Sequence, residues 1–524
     1  MEKAFRYDGQ TAVVQTDKGL VHGYEYDGVV VFKGIPYAKA RRFHDPEPAD
    51  PWEGLLETVG AGCICPHMER EMLAGDLGGA HRIGVQNENC QNLNVWTPGC
   101  DEAKRPVMVW LHGGAFTMGS SLENVSYEGH SASKYGNIVF VSLNHRLNIL
   151  GYCDLSEFGE EYANSGNAGT SDMVAALQWV HDNIASFGGD PENVTIFGQS
   201  GGGMKVTALL QTPGADGLFH KGIIMSGVQG GALFDCVGSG RKMGEMLLKE
   251  AGVSSVRELE TMPYSQLAEA FQRVRFQLRP QKINSGETPC RNGFYAGDPL
   301  EVPFRRETAH IPLLIGSTFG EFSGFGLREY DRRTISETEA VKAVEEKLGK
   351  ALADEVLPLF RKAYPERNPI DLLGMDYMFR EYTLNYIKRR AAAGCAPIWD
   401  YLFSLDGPMC GGQLPPHGAD IPFVFHNTAY VPSTQEAGVT ERMEKRIFET
   451  VMAFVHTGNP NNPEIPLWEP AASQELHTLV LNCEPEVRTN FDEQLVHKMS
   501  KVFLDGMVDG LLRQMSSMVA KAEG

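Results

Sequence analysis

The sequence predicts an α/β protein built on a mostly parallel sheet with helices on both faces. Two observations support this fold class. From about residue 105 onward, short continuous apolar runs such as PVMVWLH, NIVFVSLN and HKGIIMSG have the character of buried strands. Between these runs lie segments whose apolar residues recur at helical spacing, and strands that alternate with helices form a parallel sheet.

The elements before residue 105 are predicted to be β-hairpins. The runs TAVVQT, LVHGYEY and VVVFKG are separated by DKG and DG, which supply the Asp and Gly residues that hairpin turns favour. Farther along, SDMVAALQWVHDNIASFGG predicts a helix that Ser171 or Asp172 caps and that glycines end. The strand NVTIF, a glycine-rich turn and a helix to about Gln211 follow it.

The second half of the chain adds further strands and long helical stretches. IPLLIGS and APIWDYLFSL are predicted strands, and 240–275 and 336–394 are predicted helical insertions that cover the edge of the sheet. No internal repeat or Pro/Ser-rich linker separates two domains. We therefore expect residues 1–524 to form a single domain.

The composition excludes several classes of function. The formal net charge is −20, whereas a protein that binds nucleic acid or an anionic membrane surface needs a basic face. No apolar run approaches the ~20 residues of a membrane span. The N-terminus has no apolar signal segment, and ten cysteines are too few for a disulfide scaffold. We therefore expect a cytoplasmic protein with mostly free thiols, and a secreted protein whose signal segment was removed is the alternative.

The stretch GQSGGG carries the first chemical signal. Gly198 and Gly202 flank Ser200 between a predicted strand and a predicted helix, which is the pattern of a nucleophile elbow. Such a turn holds the serine in a strained conformation and leaves no room for side chains beside it. A flexible turn that matches by chance is the alternative, because 57 of the 524 residues are glycine.

A second glycine-rich stretch, WLHGGAFTMGS, follows the first predicted parallel strand. Backbone N–H groups at such a loop can bind the oxygen that becomes negative when an ester is attacked. The pattern nominates the N–H groups of Gly114, Ala115 and Gly201 as donors, with Gly113 shaping the turn. An ordinary bend between two elements is the alternative interpretation.

A serine nucleophile needs a histidine base, and this fold delivers the base last along the chain. Of the fifteen histidines, His417 lies in a rigid loop, QLPPHGADIPFVF, that precedes an apolar segment. His426 and His456 are assigned to packing, and His112 belongs to the second glycine-rich stretch and points elsewhere. His417 is therefore the predicted base.

The acid that orients the base is expected between the serine and the histidine. Glu321 is the only carboxylate in LLIGSTFGEFSGF, a strand that ends in a glycine-flanked loop. Asp298 and Glu301 are the rivals, but neither follows a predicted buried strand. Glu321 is therefore the candidate, with an ordinary solvated glutamate as the alternative.

These motifs occur in the order and context of a known family. FKGIPYA, LHGGAF, SLNHRLNILGY, IASFGGDPENVTIFGQSGGG, GSTFGEF and PPHGADIPFVF resemble the type-B carboxylesterase family, which includes cholinesterases and bacterial para-nitrobenzyl esterases. The resemblance runs from about residue 12 to about residue 505 and is closest to the bacterial enzymes. It implies the α/β-hydrolase fold and hydrolysis of small-molecule esters through an acyl-enzyme, with no metal or organic cofactor. The enzyme is expected to be a monomer or homodimer.

The resemblance also implies roles for particular residues. It supports Ser200, Glu321 and His417 as the triad and the three named N–H donors as the oxyanion hole. It places a second serine, Ser226, near the acid. The remaining matches are structural: two ion pairs, Arg42 with Glu88 and Arg146 with Asp172, and a cysteine pair, Cys65 and Cys90, which is a disulfide in secreted members and is left open here.

Two departures from the family surround the serine. The family usually has Glu before the serine and Ala after it, whereas this chain has Gln199 and Gly201. Loss of that carboxylate argues against a choline ester as substrate. Three phenylalanines that adjoin the catalytic loops, Phe116, Phe319 and Phe322, are predicted to line the substrate pocket, with core packing as the alternative. Amides, carbamates or lactones as substrates, and a non-catalytic adhesion protein, are the rival functions.

Overall fold

The computed structural model describes residues 4–67, 82–228, 230, 240–278, 286–322, 327, 329–409 and 412–502. Its strands are β1 (Phe5–Arg6), β2 (Val13–Gln15), β3 (Leu20–His22), β4 (Tyr24–Tyr26), β5 (Val29–Pro36), β6 (Ala38–Lys39), β7 (Glu47–Pro48), β8 (Leu55–Glu57), β9 (Asn92–Thr97), β10 (Arg105–Leu111), β11 (Val139–Leu143), β12 (Gly189–Gln199), β13 (Lys221–Met225), β14 (Leu313–Thr318), β15 (Ile398–Phe403), β16 (His477–Leu481) and β17 (Glu486–Thr489).

The α-helices within these ranges are α1 (His130–Gly136), α2 (Asn148–Tyr152), α3 (Ala168–Asn183), α4 (Gly201–Leu210), α5 (Arg241–Ala251), α6 (Val256–Thr261), α7 (Tyr264–Leu278), α8 (Glu337–Leu348), α9 (Lys350–Ala363), α10 (Met378–Ala392), α11 (Ile421–Val424) and α12 (Thr440–Thr457). A further helical segment covers 493–502. No helix among the described residues is long and apolar enough to cross a membrane.

One large sheet organises the described chain. Its twelve strands follow the order β1-β4-β5-β9-β11-β10-β12-β13-β14-β15-β16-β17. The seven strands from β11 to β16 are mutually parallel, and the strands on either side of them pair antiparallel. The predicted mostly parallel sheet and the N-terminal hairpins β2–β3 and β4–β5 are confirmed.

Both faces of the sheet are buried. Along β10, Val107, Val109 and Leu111 enter one apolar core, whereas Met108 and Trp110 enter the other. The first core also takes apolar residues from α3, α4, α8, α9 and α10, and the second takes them from α1, α11 and α12. Because successive strand side chains point to opposite faces, this division places helices on both sides of the sheet, as predicted.

The two predicted insertions pack in different places. The α5–α7 group shares a separate apolar cluster with α2. Helix α10 packs against β14 and β15 within the sheet, because its Leu384 and Ile387 belong to the first core. The end of α9 reaches the edge strand β17, where Arg488 donates to the Ala363 carbonyl at 2.7 Å. That 336–394 covers the edge of the sheet stays a prediction.

The start of α3 also corrects the prediction. The helix begins at Ala168, so Ser171 and Asp172 lie inside it and cap nothing. Asp172 is instead committed to Arg146: Oδ1 accepts from Nη2 at 2.6 Å and Oδ2 accepts from Nε at 2.8 Å, with both side chains buried. The ion pair that the resemblance implied is thus present. The pair of Arg42 and Glu88 is present as well, with Nε donating to Oε2 at 2.8 Å.

We expect Asp172→Asn to lower the free energy of unfolding by about 3–5 kcal/mol, because it leaves Arg146 buried without a counter-charge. Urea denaturation followed by circular dichroism measures the loss. The matched control is Glu337→Gln, which removes a carboxylate from the exposed pair with Arg361, whose side chains are 50% and 67% exposed. That change should cost less than about 1 kcal/mol. Equal losses in the two variants would contradict the prediction.

Candidate active site

The turn that carries Ser200 joins β12 to α4 without an intervening loop. Ser200 has φ 58° and ψ −126°, a backbone conformation that residues with a Cβ adopt only under strain. Its N–H donates to the carbonyl of Met225 on the neighbouring β13 at 2.8 Å. The turn is therefore anchored to the sheet, and the serine side chain stands at its tip.

The glycines after Ser200 are required by close packing. A Cβ on Gly201 would lie 2.2 Å from the backbone nitrogen of Ala115, and one on Gly202 would lie 2.0 Å from the carbonyl oxygen of Leu111. Gly203, to which the motif assigns no role, packs against Gly227, whose Cα would lie 2.7 Å from an added Cβ. The first turn of α4 thus rests directly on the backbone that follows β10.

That backbone forms the candidate oxyanion loop, residues 112–116. Gly114 and Ala115 have φ of 86° and 54°, and the Gly114 carbonyl accepts from the N–H of Met118 at 3.1 Å. Among the described residues, the N–H groups of Gly114, Ala115 and Gly201 donate to no protein acceptor. Three free donors therefore lie where α4 meets the loop, which is the requirement for binding a developing negative oxygen.

Glu321 and His417 are brought together across 96 residues of sequence. His417 Nδ1 is hydrogen-bonded to Glu321 Oε2, and the His417 N–H donates to the Glu321 carbonyl at 3.2 Å. Glu321 Oε1 accepts from Ser226 Oγ at 2.6 Å and from the Thr318 N–H at 2.7 Å. The carboxylate is fully buried with both oxygens satisfied, so it can hold the imidazole in one orientation.

The outer nitrogen of His417 faces Gln199 rather than Ser200. Because Nδ1 donates to Glu321, Nε2 carries the lone pair and accepts from the Gln199 amide at 3.1 Å. Within the described residues, Ser200 Oγ makes no hydrogen bond to His417. Gln199, one of the two residues at which this chain departs from the family, therefore donates to the lone pair of the candidate base.

Two aromatic rings pack on His417. The ring centroids of Phe322 and Phe379 lie 4.3 and 5.0 Å from the imidazole and 6.0 Å from one another. Phe322 is 48% exposed and lines the cavity in front of Ser200, as predicted. Phe379, on α10, has no sequence signal, because only the packing of the insertion brings it to the site.

The other two predicted pocket residues lie elsewhere. Phe116 is buried among Tyr152, Met204 and Tyr295, and Phe319 is buried against Tyr364 with the Arg367 guanidinium 4.0 Å from its ring centroid. Neither lines the cavity that contains Ser200. The prediction is wrong for both residues because each side chain points from its loop into the core.

The cavity in front of Ser200 has a volume of about 590 Å³ and opens to solvent. Gly113, Gly114, Gln199, Ser200 and His417 line its floor. Its upper wall combines apolar side chains with a few polar and charged ones: Ile64, Ile83, Tyr127, Ile421 and Pro422 with His67, Arg82 and Glu123. A mostly apolar pocket with a few converging polar groups is typical of a small-molecule site.

Two more buried carboxyls surround the Glu321–His417 pair. Burial, with the charge of Glu321, raises the pKa of Asp376 to about 8. Burial raises the pKa of Asp420 to about 6, and its Oδ2 accepts from Tyr401 Oη at 2.7 Å. The Asp376 carboxyl also accepts from the backbone N–H groups of Met378, Phe379 and Arg380, which oppose this rise and hold it at the start of α10. Sequence spacing contains no signal for either residue.

The rejected histidines make structural contacts. His112 Nδ1 is 2.9 Å from the Gly113 carbonyl, and His456 Nε2 is 2.9 Å from the Gly136 carbonyl. His426 stacks on Tyr135 with ring centroids 4.7 Å apart. Their assignment to packing agrees with these contacts.

Cys65 and Cys90 are both buried and unbonded. Burial and the adjacent Cys65 thiol raise the pKa of Cys90 well above its usual value. The pair that is a disulfide in secreted relatives is therefore a pair of neighbouring thiols in this structure.

Comparisons with known proteins agree with one another. The model of the carboxylesterase family matches residues 10–498. The para-nitrobenzyl esterase of Bacillus subtilis is 32% identical over 504 residues, which cover 93% of this chain and 98% of that protein. A solved esterase from the anaerobe Clostridium hathewayi, described as able to hydrolyse aliphatic aromatic polyesters, is 44% identical with a TM-score of 0.92 and covers 95% of this chain and 99% of its own. A carboxylesterase of Geobacillus stearothermophilus is 31% identical with a TM-score of 0.72, covering 93% and 100%.

We expect Gln199→Glu to change the preference for substrate charge. A carboxylate beside His417 would attract a cationic ester by about 1–2 kcal/mol, a 5–30-fold gain. The measurement is the ratio of kcat/KM for acetylcholine to that for its uncharged isostere, 3,3-dimethylbutyl acetate. Gln199→Leu, which adds no charge, is the control and should leave the ratio near that of the native enzyme. An unchanged ratio in Gln199→Glu would contradict the prediction.

Proposed function

The chain belongs to the carboxylesterase family and is a carboxylic ester hydrolase; within that activity, we propose that Ser200 is the nucleophile, His417 its base and Glu321 the acid that orients the base. The observation that carries this proposal is the hydrogen-bonded series from Ser226 through Glu321 to His417. It ends on the floor of the cavity that also exposes Ser200. An acyl-enzyme on a serine is general to the family.

The first half of the reaction acylates Ser200. Ser200 Oγ attacks the ester carbonyl while His417 Nε2 takes its proton, and the Gln199 amide releases Nε2 for that transfer. Glu321 stabilises the imidazolium that results. The carbonyl oxygen becomes negative and is bound by the N–H groups of Gly114, Ala115 and Gly201. His417 then protonates the departing alcohol.

The second half returns the enzyme to its starting state. Water enters the open cavity, gives a proton to His417 and attacks the acyl carbonyl through the same oxyanion contacts. Ser200 leaves with the proton, and the carboxylic acid is released. The groups to which this proposal assigns roles follow β10, β12 and β14 or lie in the loop that follows β15, and the Gln199 amide has to leave His417 Nε2 before the first proton transfer.

A fluorophosphonate probe should label Ser200, and Ser200→Ala should lower kcat for para-nitrophenyl acetate by about 10⁴-fold or more without loss of thermal stability. Mass spectrometry of the digested adduct locates the label. Labelling of another residue, or full activity in Ser200→Ala, would overturn the assignment.

We also propose aliphatic aromatic polyesters as a substrate class. The likeness to the Clostridium hathewayi esterase supports this proposal, since that protein is described as hydrolysing such polymers and covers nearly the whole chain. The open cavity supports it too: Ile83, 88% exposed, and Phe322 present apolar surface at the rim. Because the cavity is open at this rim, a long polymer segment can lie across it while one ester group enters the cavity.

We expect the enzyme to release aromatic diacid from a film of an aliphatic aromatic co-polyester, measured by liquid chromatography. Replacing the apolar rim residue by Ile83→Ser should slow release from the film several-fold, because it removes apolar contact area with the polymer. The same variant should hydrolyse para-nitrophenyl acetate at the native rate, since that ester reaches only the floor of the cavity. No release above the Ser200→Ala background would refute the polyester proposal.

Three expectations about the whole protein stay predictions. They are a single catalytic domain over residues 1–524, a monomer or homodimer, and a cytoplasmic location.

A further inference from the structure

A lysine is buried beneath the candidate oxyanion loop. Lys205 lies on α4, one helical turn after Gly201, and is 0% exposed. Its Nζ donates to the carbonyl oxygen of His112 at 2.8 Å, and this is its one hydrogen bond within the described residues. Lysine is among the residues most rarely buried without a carboxylate partner, so its presence here needs a reason.

The titratable and charged groups around Lys205 include His112, His145 and Glu123, with the Arg146 guanidinium next to His145 as a second cation. The rings of His112 and His145 stack with centroids 5.1 Å apart. Burial holds the pKa of each well below its usual value, and the Lys205 charge lowers both further, so both are neutral. Glu123, on the cavity wall, is the carboxylate whose charge favours the protonated lysine.

The hydrogen bond links two parts of the oxyanion hole. The His112 carbonyl belongs to the peptide that leads into Gly113, directly before the donors Gly114 and Ala115. Lys205 is on the helix whose first residue, Gly201, supplies the third donor. An added Cβ on Gly202 would lie 3.1 Å from the same His112 oxygen, which shows how closely helix and loop are stacked.

We propose that Lys205 is a positioning residue for the oxyanion. Its ammonium fixes the His112 carbonyl against α4 and thereby aligns the loop donors with Gly201, and its positive charge favours the negative oxygen of the tetrahedral intermediate. This inference rests on the proposed function, since it needs the 112–116 loop to bind that oxygen.

If Lys205 served stability alone, folding would have to favour its protonated form. Burial lowers the pKa of Lys205 from its usual 10.5 to about 7, so folding disfavours the protonated amine. The folded state therefore loses stability as pH falls from 10.5 towards 7, because the unfolded chain binds the proton more tightly. An apolar side chain of the same length would avoid that cost but would leave the His112 carbonyl without this hydrogen bond.

The test compares Lys205→Met with Lys221→Met. Lys221 is the matched control, because it is also buried, at 7% exposed, and burial lowers its pKa to about 8. It begins β13, at the opposite end of that strand from Ser226, and donates to Asn193 on β12. For Lys205→Met we expect kcat to fall about tenfold to a hundredfold with KM changed less than about twofold. Lys221→Met should keep the native kcat.

Two further readouts separate positioning from packing. A trifluoromethyl ketone, which adds to Ser200 and forms an oxyanion, should bind Lys205→Met more weakly by the same factor as the loss in kcat. The melting temperature of Lys205→Met minus that of the native enzyme should be larger at pH 7 than at pH 9.5, because the native lysine costs more stability at the lower pH. A packing role would lower the melting temperature and leave the ketone affinity unchanged.

Native kcat in folded Lys205→Met, an effect confined to KM, or an equal loss in Lys221→Met would overturn the inference. If Lys205→Met does not fold, Lys205→Leu, which likewise removes both the N–H donor and the charge, is judged by the same kcat and ketone criteria. Ser200→Ala distinguishes failure of the Lys205 inference from failure of the proposed function. If it abolishes activity while Lys205→Met does not, only the Lys205 inference fails; if it stays active, the proposed function fails.

Discussion

The strained backbone at Ser200 is the constraint on which the site depends. A φ of 58° with ψ of −126° costs about 1–3 kcal/mol and persists only where the surroundings enforce it. Here the Ser200 N–H is held by Met225 on β13, and the first turn of α4 lies against the backbone after β10. The sheet and the helix together therefore enforce a conformation that the chain would not adopt alone.

Positive φ, the constraint seen at Ser200, recurs after the carboxyl ends of the neighbouring strands. Ala115, Ser200, Ser226 and Glu321 all have positive φ, between 39° and 58°, and they follow β10, β12, β13 and β14 in turn. These four strands are hydrogen-bonded neighbours in the parallel part of the sheet, so their carboxyl ends lie side by side. A residue with positive φ thus follows each strand and keeps a side chain or N–H group of the site at the carboxyl end of the sheet. The loop after β15 adds His417 at the same end. The site is a property of the parallel sheet more than of any one loop.

Much of this arrangement was predictable from the sequence, and the limits are physical. Strands, the serine turn and the order of Ser200, Glu321 and His417 depend on local patterns, and the structure brings the last two together as expected. The start of α3 was mispredicted because Asp172 serves Arg146 on another segment. Phe379 and Lys205 were missed because their roles come from contacts across many residues, which no spacing records. Phe116 and Phe319 follow the right strands, but the direction of a side chain after a turn is set by tertiary packing.

The contact between Gly201 and Ala115 limits which substitutions the site can accept. A methyl group at position 201, usual in the family, would lie 2.2 Å from the backbone of residue 115 in this chain. The two positions are therefore not free to vary independently. An alanine at 201 would require residue 115 and its loop to move away from α4, which would also move the loop N–H groups. The first turn of α4 and the 112–116 loop therefore behave as one unit, in which a single methyl group on the helix would reposition the donors on the loop.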